Sequence, residues 1–201
     1  MGFREFCLEC RRARRVCQCA DIRKLATDQV FAILTHPVER RMKTGTGRLA
    51  HLCISNSVLI EGAGFKDDPR VNALIEDPRY FPTVLYPGRA SIEIQELAVP
   101  QDRRLLMFVV DTKWSLAKSV LNRSPNLKAL PQIRFTPTRP SGFHIRRQPR
   151  ANCLSTIEAI HFVLERLAPG TAEHSHLIEA FDKMVRRQMD FESKPTRRHF
   201  L

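Results

Sequence analysis

The sequence contains no apolar run of about 18 residues, the length that a helix needs to cross a membrane. Its first residues lack the apolar segment of a secretory signal, and they do not resemble an organelle-targeting peptide. These absences predict a cytoplasmic chain without a membrane span. With 201 residues, of which 43% are hydrophobic, the chain is long enough to form one core of α/β size.

Acidic residues are also few relative to basic ones. Lysine and arginine together number 33, against 21 aspartates and glutamates, which gives a formal charge of +12 and an isoelectric point near 10.0. A globular chain this basic usually binds a polyanion, and guanidinium groups match phosphate geometry better than ammonium groups do. The charge therefore favours a nucleic-acid partner over a merely solvated basic surface. The arginines that we predict to contact it are Arg11, Arg12, Arg14, Arg15, Arg40, Arg41, Arg146 and Arg147.

Four of the six cysteines lie close together near the N-terminus, at Cys7, Cys10, Cys17 and Cys19. Disulfides are rare in a reducing cytoplasm, whereas four thiolates suit a tetrahedral Zn²⁺. An iron–sulfur cluster is an alternative, because it can use the same ligands. The spacing predicts a metal-binding knuckle over residues 1–24. The other two cysteines, Cys53 and Cys153, have apolar neighbours and are predicted to be buried.

The most apolar segment runs from Leu105 to Val110 and predicts a strand that is buried on both faces of a parallel sheet. Asp111 and Thr112 follow it, and then a helix begins at Trp114, whose spacing favours a place in the core. Ligands of open α/β sheets bind beyond the carboxyl ends of the strands, where Asp111 would lie. The alternative is that Asp111 or Thr112 only caps the helix.

A second buried strand is predicted at Val30–Thr35, and the loop that follows it contains His36, Glu39 and a Thr-Gly segment. A hydrogen-bonded structural role is expected for His36. The backbone N–H groups of the Thr-Gly segment can hold an anion at a helix start, but the spacing is not that of a P-loop.

Several shorter elements are also predicted. Strands are expected at Val58–Ile60, from Phe81 into the turn at Gly88, at Ile133–Phe135 and, by alternation, at Phe143–Arg146. One helix is expected up to Leu167, with Ser155 and Glu158 as a capping box, and an amphipathic helix is expected over His174–Met189. The basic segment over residues 191–201 is predicted to be unstructured.

Five motifs follow one another along the chain. They are the two cysteine pairs, His36-Pro37-x-Glu39 with Thr46-Gly47-Arg48, Leu85-Tyr86-Pro87-Gly88, Asp111-Thr112-x-Trp114, and Leu154-Ser155-Thr156-x-Glu158-Ala159. Together they resemble the DTW-domain family. The resemblance implies a fold similar to the knotted SPOUT methyltransferases, with a mostly parallel sheet flanked by helices over residues 25–190. One departure is Gly45, where the family pattern leads us to expect asparagine.

The resemblance also implies a reaction. In this family, S-adenosylmethionine gives its 3-amino-3-carboxypropyl group to N3 of a tRNA uridine, and methylthioadenosine is released. Asp111 is the expected base for the N3 proton, while Glu39 and Arg48 are expected to bind the charged amino-acid end of the donor. Trp114 would then be a stacking wall instead of a core residue. The donor contacts implied are Thr35, Glu39, Thr46, Gly47, Arg48, Leu85, Tyr86, Pro87, Gly88, Thr112, Trp114, Leu154, Ser155 and Thr156.

Three functions stay open at this point. The first is tRNA-uridine aminocarboxypropyl transfer, with tRNA as partner and zinc in the knuckle. The second is a related RNA methyltransferase, which would release S-adenosylhomocysteine instead of methylthioadenosine. The third is a zinc-bearing RNA-binding module without catalysis. A monomer is the favoured state in each case.

Overall fold

The computed structural model describes residues 5–40, 42, 44–146 and 153–192. Within these residues, six strands run parallel in one sheet. Their bounds are β1 Val30–Thr35, β2 Ser57–Glu61, β3 Tyr80–Leu85, β4 Ile92–Glu93, β5 Arg104–Asp111 and β6 Gln132–Arg134. The order across the sheet is β2-β1-β5-β3-β6-β4, so β5 lies between two other long strands.

The same residues contain seven α-helices and a few single turns of 3-10 helix. The α-helices are α1 Pro37–Arg40, α2 Thr46–Cys53, α3 Pro69–Glu76, α4 Trp114–Asn122, α5 Pro125–Lys128, α6 Thr156–Leu167 and α7 Ser175–Glu192. In the described part of the chain, no helix is both long enough and apolar enough to cross a membrane.

Helices cover both faces of the sheet, as the apolar character of β1 and β5 predicts. One core joins Phe31 and Ile33 of β1 to α2, α6 and α7, whereas the other joins Ala32 and Leu34 to α3, α4 and α5. Successive residues of a strand point to opposite faces, so β1 contributes side chains to both cores. The predicted α/β class with a parallel sheet is therefore confirmed. The knotted path expected from the resemblance stays a prediction.

Helix α6 begins with the predicted capping box. The carboxylate of Glu158 accepts a hydrogen bond from the backbone N–H of Ser155 at 2.8 Å. It also accepts bonds from the hydroxyl of Ser141 and the backbone N–H of Gly142, both at 2.7 Å. One buried carboxylate thus fixes the start of α6 and the loop that passes beside it.

Two local predictions are wrong. Residues Phe143–Arg146 are not a strand, because Phe143 packs on the ring of Phe181 while Arg146 turns towards Glu39. The alternation of apolar and polar residues that predicted a strand therefore reflects two separate side-chain contacts of an irregular segment. Trp114 is not in the core: it is the first residue of α4 and 41% exposed, although the later apolar residues of that helix are buried.

The cysteine knuckle packs against α7. The guanidinium group of Arg12 donates to Gln188 at 3.3 Å, and that of Arg187 donates to the carbonyl of Cys17 at 3.1 Å. Asp21 also forms an ion pair with Arg187. Helix α7 continues to Glu192, three residues beyond the predicted end at Met189, and residues 193–201 of the predicted tail lie outside the described residues. The division of the chain into a knuckle over residues 1–24, an α/β domain over residues 25–190 and a tail over residues 191–201 stays a prediction.

Candidate active site at the carboxyl edge of the sheet

The parallel strands bring several polar side chains to one edge of the sheet. In the register of the three strands, Thr35 at the end of β1 lies opposite Glu61 of β2 on one side and Asp111 of β5 on the other. Loops that follow parallel strands emerge on the same side, so the motifs after β1, β3 and β5 also gather there. This edge is the candidate active site.

Asp111 lies at the centre of this edge and is only 4% exposed. Its Oδ1 accepts a hydrogen bond from the hydroxyl of Thr156 at 2.7 Å, and its Oδ2 accepts one from Thr35 at 3.1 Å. Gly47 in the first turn of α2 lies so close that a Cβ atom there would be 2.3 Å from the carboxylate. Burial raises the pKa of Asp111, although the two hydroxyl bonds partly oppose this rise.

The capping alternative for Asp111 is wrong. Helix α4 is preceded by Lys113 at its N-cap position, and no side chain there bonds to the helix. The carboxylate of Asp111 is directed instead to β1 and to the start of α6. The hydroxyl of Thr112, the other capping candidate, is buried and has no hydrogen-bond partner among the described residues.

A second buried carboxylate, that of Glu39 in α1, lies beside this centre. Arg146 binds it through two parallel N–H donors, at 2.9 Å and 2.7 Å, and Glu39 is 4% exposed. The negative charge of Glu39 raises the pKa of Asp111, and the positive charge of Arg146 lowers it. Arg48, the predicted companion of Glu39, forms an ion pair with Glu61 at 3.8 Å instead.

The other expected donor contacts divide into two groups. Thr46 lies buried in the first turn of α2, and Leu154 and Ser155 lie buried just before Thr156, so these residues are next in sequence to Gly47 and Thr156, which contact Asp111. The segment from Tyr86 to Gly88, which follows Leu85 at the end of β3, instead lines a cleft of about 500 Å³ together with Lys118 of α4 and Lys128 of α5. The structure therefore does not place all expected contacts in one pocket.

The four N-terminal cysteines converge as predicted. Their sulfur atoms all lie within 4.8 Å of one another, with Cys7 and Cys19 at 3.6 Å and Cys10 and Cys17 at 3.7 Å. Four sulfurs held tetrahedrally at about 2.3 Å from one Zn²⁺ would be about 3.8 Å apart. Hydrogen bonds from the backbone N–H of Cys10 and from the Cys19 thiol lower the pKa of Cys7 to about 6, whereas burial and hydrogen bonds with neighbouring thiols raise the pKa of Cys19. This cluster is a candidate metal site.

The predicted RNA-contacting arginines have different environments. Arg12 is only 4% exposed, and its guanidinium group bonds to Gln18 and Gln188, so its role is structural and the prediction for it is wrong. Arg14 pairs with Glu5, and Arg15 lies over the ring of Phe191. Arg11 and Arg40 both pair with Glu61, whereas Arg146 binds Glu39. Arg41 and Arg147 lie outside the described residues.

Glu61 is the residue that sequence reasoning missed. It ends β2 beside Thr35 and contacts three arginines, Arg11, Arg40 and Arg48. Glu61 directly follows the predicted strand Val58–Ile60, just as Asp111 directly follows the predicted strand Leu105–Val110. The pattern that indicated Asp111 could therefore have indicated Glu61 as well. The pairing of Glu39 with Arg146, 107 residues apart, has no comparable signal.

Comparisons with known proteins give relatives along most of the chain. Three curated relatives are each named tRNA-uridine aminocarboxypropyltransferase 2. The Drosophila melanogaster protein is 26% identical over 194 residues, which cover 93% of this chain and 76% of the relative. For the Mus musculus protein the identity is 23% over 188 residues, covering 91% and 63%, and for the Macaca fascicularis protein it is 26% over 169 residues, covering 80% and 56%.

The chain thus spans between about half and three quarters of the length of these relatives. No solved structure matches it. A family model described as the DTW domain matches residues 4–189, which include all five motifs and the centre around Asp111. The chain therefore belongs to the DTW domain family.

Proposed function

We propose that this chain transfers the 3-amino-3-carboxypropyl group of S-adenosylmethionine to N3 of a tRNA uridine. The observation that carries the proposal is the arrangement at the carboxyl edge, where residues of three motifs, Gly47, Asp111 and Thr156, meet around one buried carboxylate. The names of the three relatives support the coarser part of the proposal, the transfer of an aminocarboxypropyl group to a tRNA uridine.

In the proposed reaction, N3 of the uridine forms a bond to the γ-carbon of the donor. The bond between that carbon and the sulfonium sulfur breaks, and its electron pair stays on the sulfur of the departing methylthioadenosine. The N3 proton passes to the carboxylate of Asp111. A carboxylate with a raised pKa takes this proton more readily than an ordinary aspartate does, because general-base efficiency rises with basicity.

The ion pair of Glu39 and Arg146 suits the amino-acid end of the donor. That end carries one ammonium and one carboxylate group, and the pair presents one carboxylate and one guanidinium group beside Asp111. Glu39 is thus retained as a donor contact, and Arg146 replaces Arg48 as its companion. The hydroxyl of Thr112, which has no hydrogen-bond partner among the described residues, offers a further polar contact at the same edge.

The cleft beside Tyr86 suits the nucleoside part of the donor. Its volume of about 500 Å³ lies within the range of about 300–1,000 Å³ that is usual for small-molecule sites. It opens between the loop after β3 and the part of helix α4 that contains Lys118 and Asn122. For the proposed reaction, the amino-acid end of the donor has to extend from this cleft to the strand end that carries the proposed base.

We propose that the metal of the knuckle is one Zn²⁺. The short distances between sulfurs support a single ion, because the cysteines of an iron–sulfur cluster bind different iron atoms and lie further apart. A closed set of four thiolates indicates a structural role. We expect Cys10→Ser to lose zinc by elemental analysis and Cys153→Ala, outside the cluster, to keep it. Stoichiometric zinc in Cys10→Ser would contradict the assignment.

The products of the reaction test the proposed function. Purified protein, total tRNA and S-adenosylmethionine should give methylthioadenosine, together with a uridine that is heavier by the transferred group. S-adenosylhomocysteine as the product would indicate a methyltransferase instead. Binding of RNA without binding of the donor would leave a non-catalytic RNA-binding module.

A further inference from the structure

Three arginines share one carboxylate at the β2 end of the carboxyl edge. The side chain of Glu61 lies 3.2 Å from Arg11, 3.1 Å from Arg40 and 3.8 Å from Arg48. Three guanidinium groups and one carboxylate leave a formal charge of +2. The side chains of Arg11 and Arg40 are 52% and 59% exposed, so this excess charge faces solvent. We name these four residues the Glu61 cluster.

The Glu61 cluster joins three separate parts of the chain. Arg11 belongs to the cysteine knuckle, Arg40 ends α1, and Arg48 lies in the first turn of α2. Arg48 also donates to the backbone carbonyl of Glu9 at 3.4 Å, which ties the knuckle to the sheet a second time. Like charges do not gather in this way unless a counter-charge holds them, and Glu61 supplies it.

The cluster is close to the proposed base. Glu61 is paired with Thr35, and Thr35 is paired with Asp111 on the next strand. Neighbouring strands are about 4.8 Å apart, so the backbones at Glu61 and Asp111 are separated by about 10 Å. A group bound at the cluster is therefore within a few nucleotides of a base that reacts at Asp111.

The backbone at Arg11 is the second observation. Its φ angle is +54°, and no other non-glycine residue in the described chain has a positive φ. This conformation costs roughly 1–2 kcal/mol in a non-glycine residue, and glycine avoids the cost. The turn of the knuckle requires it, because the N–H of Arg11 donates to the carbonyl of Cys7 at 2.9 Å. An exposed arginine at a position suited to glycine gives up stability, which indicates a use for its guanidinium group.

We propose that the Glu61 cluster binds a backbone phosphate of the RNA substrate. Each guanidinium group has five N–H donors and spends only one or two of them on Glu61 and Glu9, so donors remain for phosphate oxygens. Glu61 keeps the arginines together before RNA arrives, so less side-chain freedom is lost on binding. The proposal rests on the proposed function only in naming tRNA as the RNA.

Salt dependence of binding tests the proposal without any transfer reaction. The zinc-loaded full chain is titrated with tRNA at several salt concentrations, without donor. We expect Arg40→Gln and Arg11→Gly each to weaken binding about tenfold. Each should also reduce the slope of log affinity against log salt, by up to about 0.7–0.9, the value for the complete loss of one phosphate contact. Arg79→Gln is the matched control: Arg79 is 76% exposed, pairs with Asp77 and lies at the opposite edge of the sheet.

Arg11→Gly separates this role from a structural one. Because glycine adopts the positive φ without strain, the variant should melt at the same temperature as the wild type or higher while it loses RNA affinity. If it loses zinc or stability, the result for Arg40→Gln decides alone.

Slopes equal to the wild-type slope in both variants overturn the proposal. So does lost affinity for S-adenosylmethionine with unchanged RNA affinity, which would make the cluster a site for the donor carboxylate. A chain that binds tRNA as expected but makes no methylthioadenosine fails the proposed function and not this proposal.

Discussion

Two buried carboxylates at the carboxyl edge, those of Asp111 and Glu39, are equally hidden and have different partners. Each residue is 4% exposed. Asp111 accepts hydrogen bonds from two neutral hydroxyl groups, whereas Glu39 is bound by both donors of a guanidinium group. The negative charge of Glu39 is thus balanced within its own pair, whereas Asp111 has no cation in hydrogen-bond contact among the described residues.

The difference indicates separate tasks. A bidentate arginine fixes the position and charge of a carboxylate. Two neutral hydroxyl groups hold Asp111 without balancing its charge, and burial raises its pKa above the usual value for an aspartate. This difference supports the two proposed roles, Glu39 as a donor contact and Asp111 as the base.

The largest expected effect is that of Asp111→Asn on turnover. Asparagine has the size of aspartate and can still bond to Thr35 and Thr156, but it cannot take the N3 proton. We expect the rate of methylthioadenosine release to fall by roughly 10²–10⁴-fold, the usual contribution of a general base. Affinity for S-adenosylmethionine should stay near that of the wild type. If affinity is lost instead, Asp111 is a donor ligand, and a wild-type rate would reduce it to a structural residue.

Glu39→Gln should mainly affect stability and donor binding. The change leaves the Arg146 guanidinium without its counter-charge, and because Arg146 is partly exposed we expect a loss of about 2–3 kcal/mol in the free energy of unfolding, less than for a fully buried pair. Denaturant titration measures this loss. Weaker donor binding should accompany it, and a variant with unchanged stability and donor affinity would show that the pair is not needed.

Gly47→Ala tests how closely Asp111 is enclosed. The added methyl group would lie 2.3 Å from the carboxylate, so either α2 or Asp111 has to move. We expect a loss of about 1–3 kcal/mol in stability and a lower turnover. Gly45→Ala is the control, because its methyl group would meet only backbone oxygens at ordinary distances of 3.6–3.7 Å. Equal effects of the two substitutions would show that the contact with Asp111 is unimportant.

The smallest effect is the pH dependence of stability. Because the pKa of Asp111 is raised from its usual 3.8, the folded protein holds this proton more tightly than the unfolded chain does. Stability should therefore fall as the pH rises from about 4 through the raised pKa, and Asp111→Asn should not share this fall. The stability of the variant minus that of the wild type should thus increase over this range and then level off. A difference that is constant with pH would contradict the raised pKa.

Most of the sheet could be predicted because its strands are short apolar runs. Strand β1 has the predicted bounds, and β5 extends the predicted run by one residue at each end. A strand that is buried on both faces is apolar along nearly its whole length, so it can be recognised in the sequence as a continuous apolar run. Alternation over four residues was a weaker signal, and at Phe143–Arg146 it was wrong, since an irregular segment with two anchored side chains alternates in the same way.

The site could be predicted only in part, because its contacts join distant residues. The position of Asp111 at a strand end was predictable, but its partner Thr156 is 45 residues away and the pair of Glu39 and Arg146 spans 107 residues. The prediction that Arg12 contacts RNA was also wrong, because nothing in the local sequence distinguishes this buried arginine from its exposed neighbours. What distinguishes it is α7, at the other end of the chain.

The packing of the knuckle on α7 has a consequence for how the chain is made. The hydrogen bond between Arg12 and Gln188 spans 176 residues, so the knuckle leaves the ribosome long before the helix on which it docks. Until α7 has been synthesised, the knuckle lacks this docking surface. Docking of the knuckle is therefore a late step of folding that needs segments from distant parts of the chain.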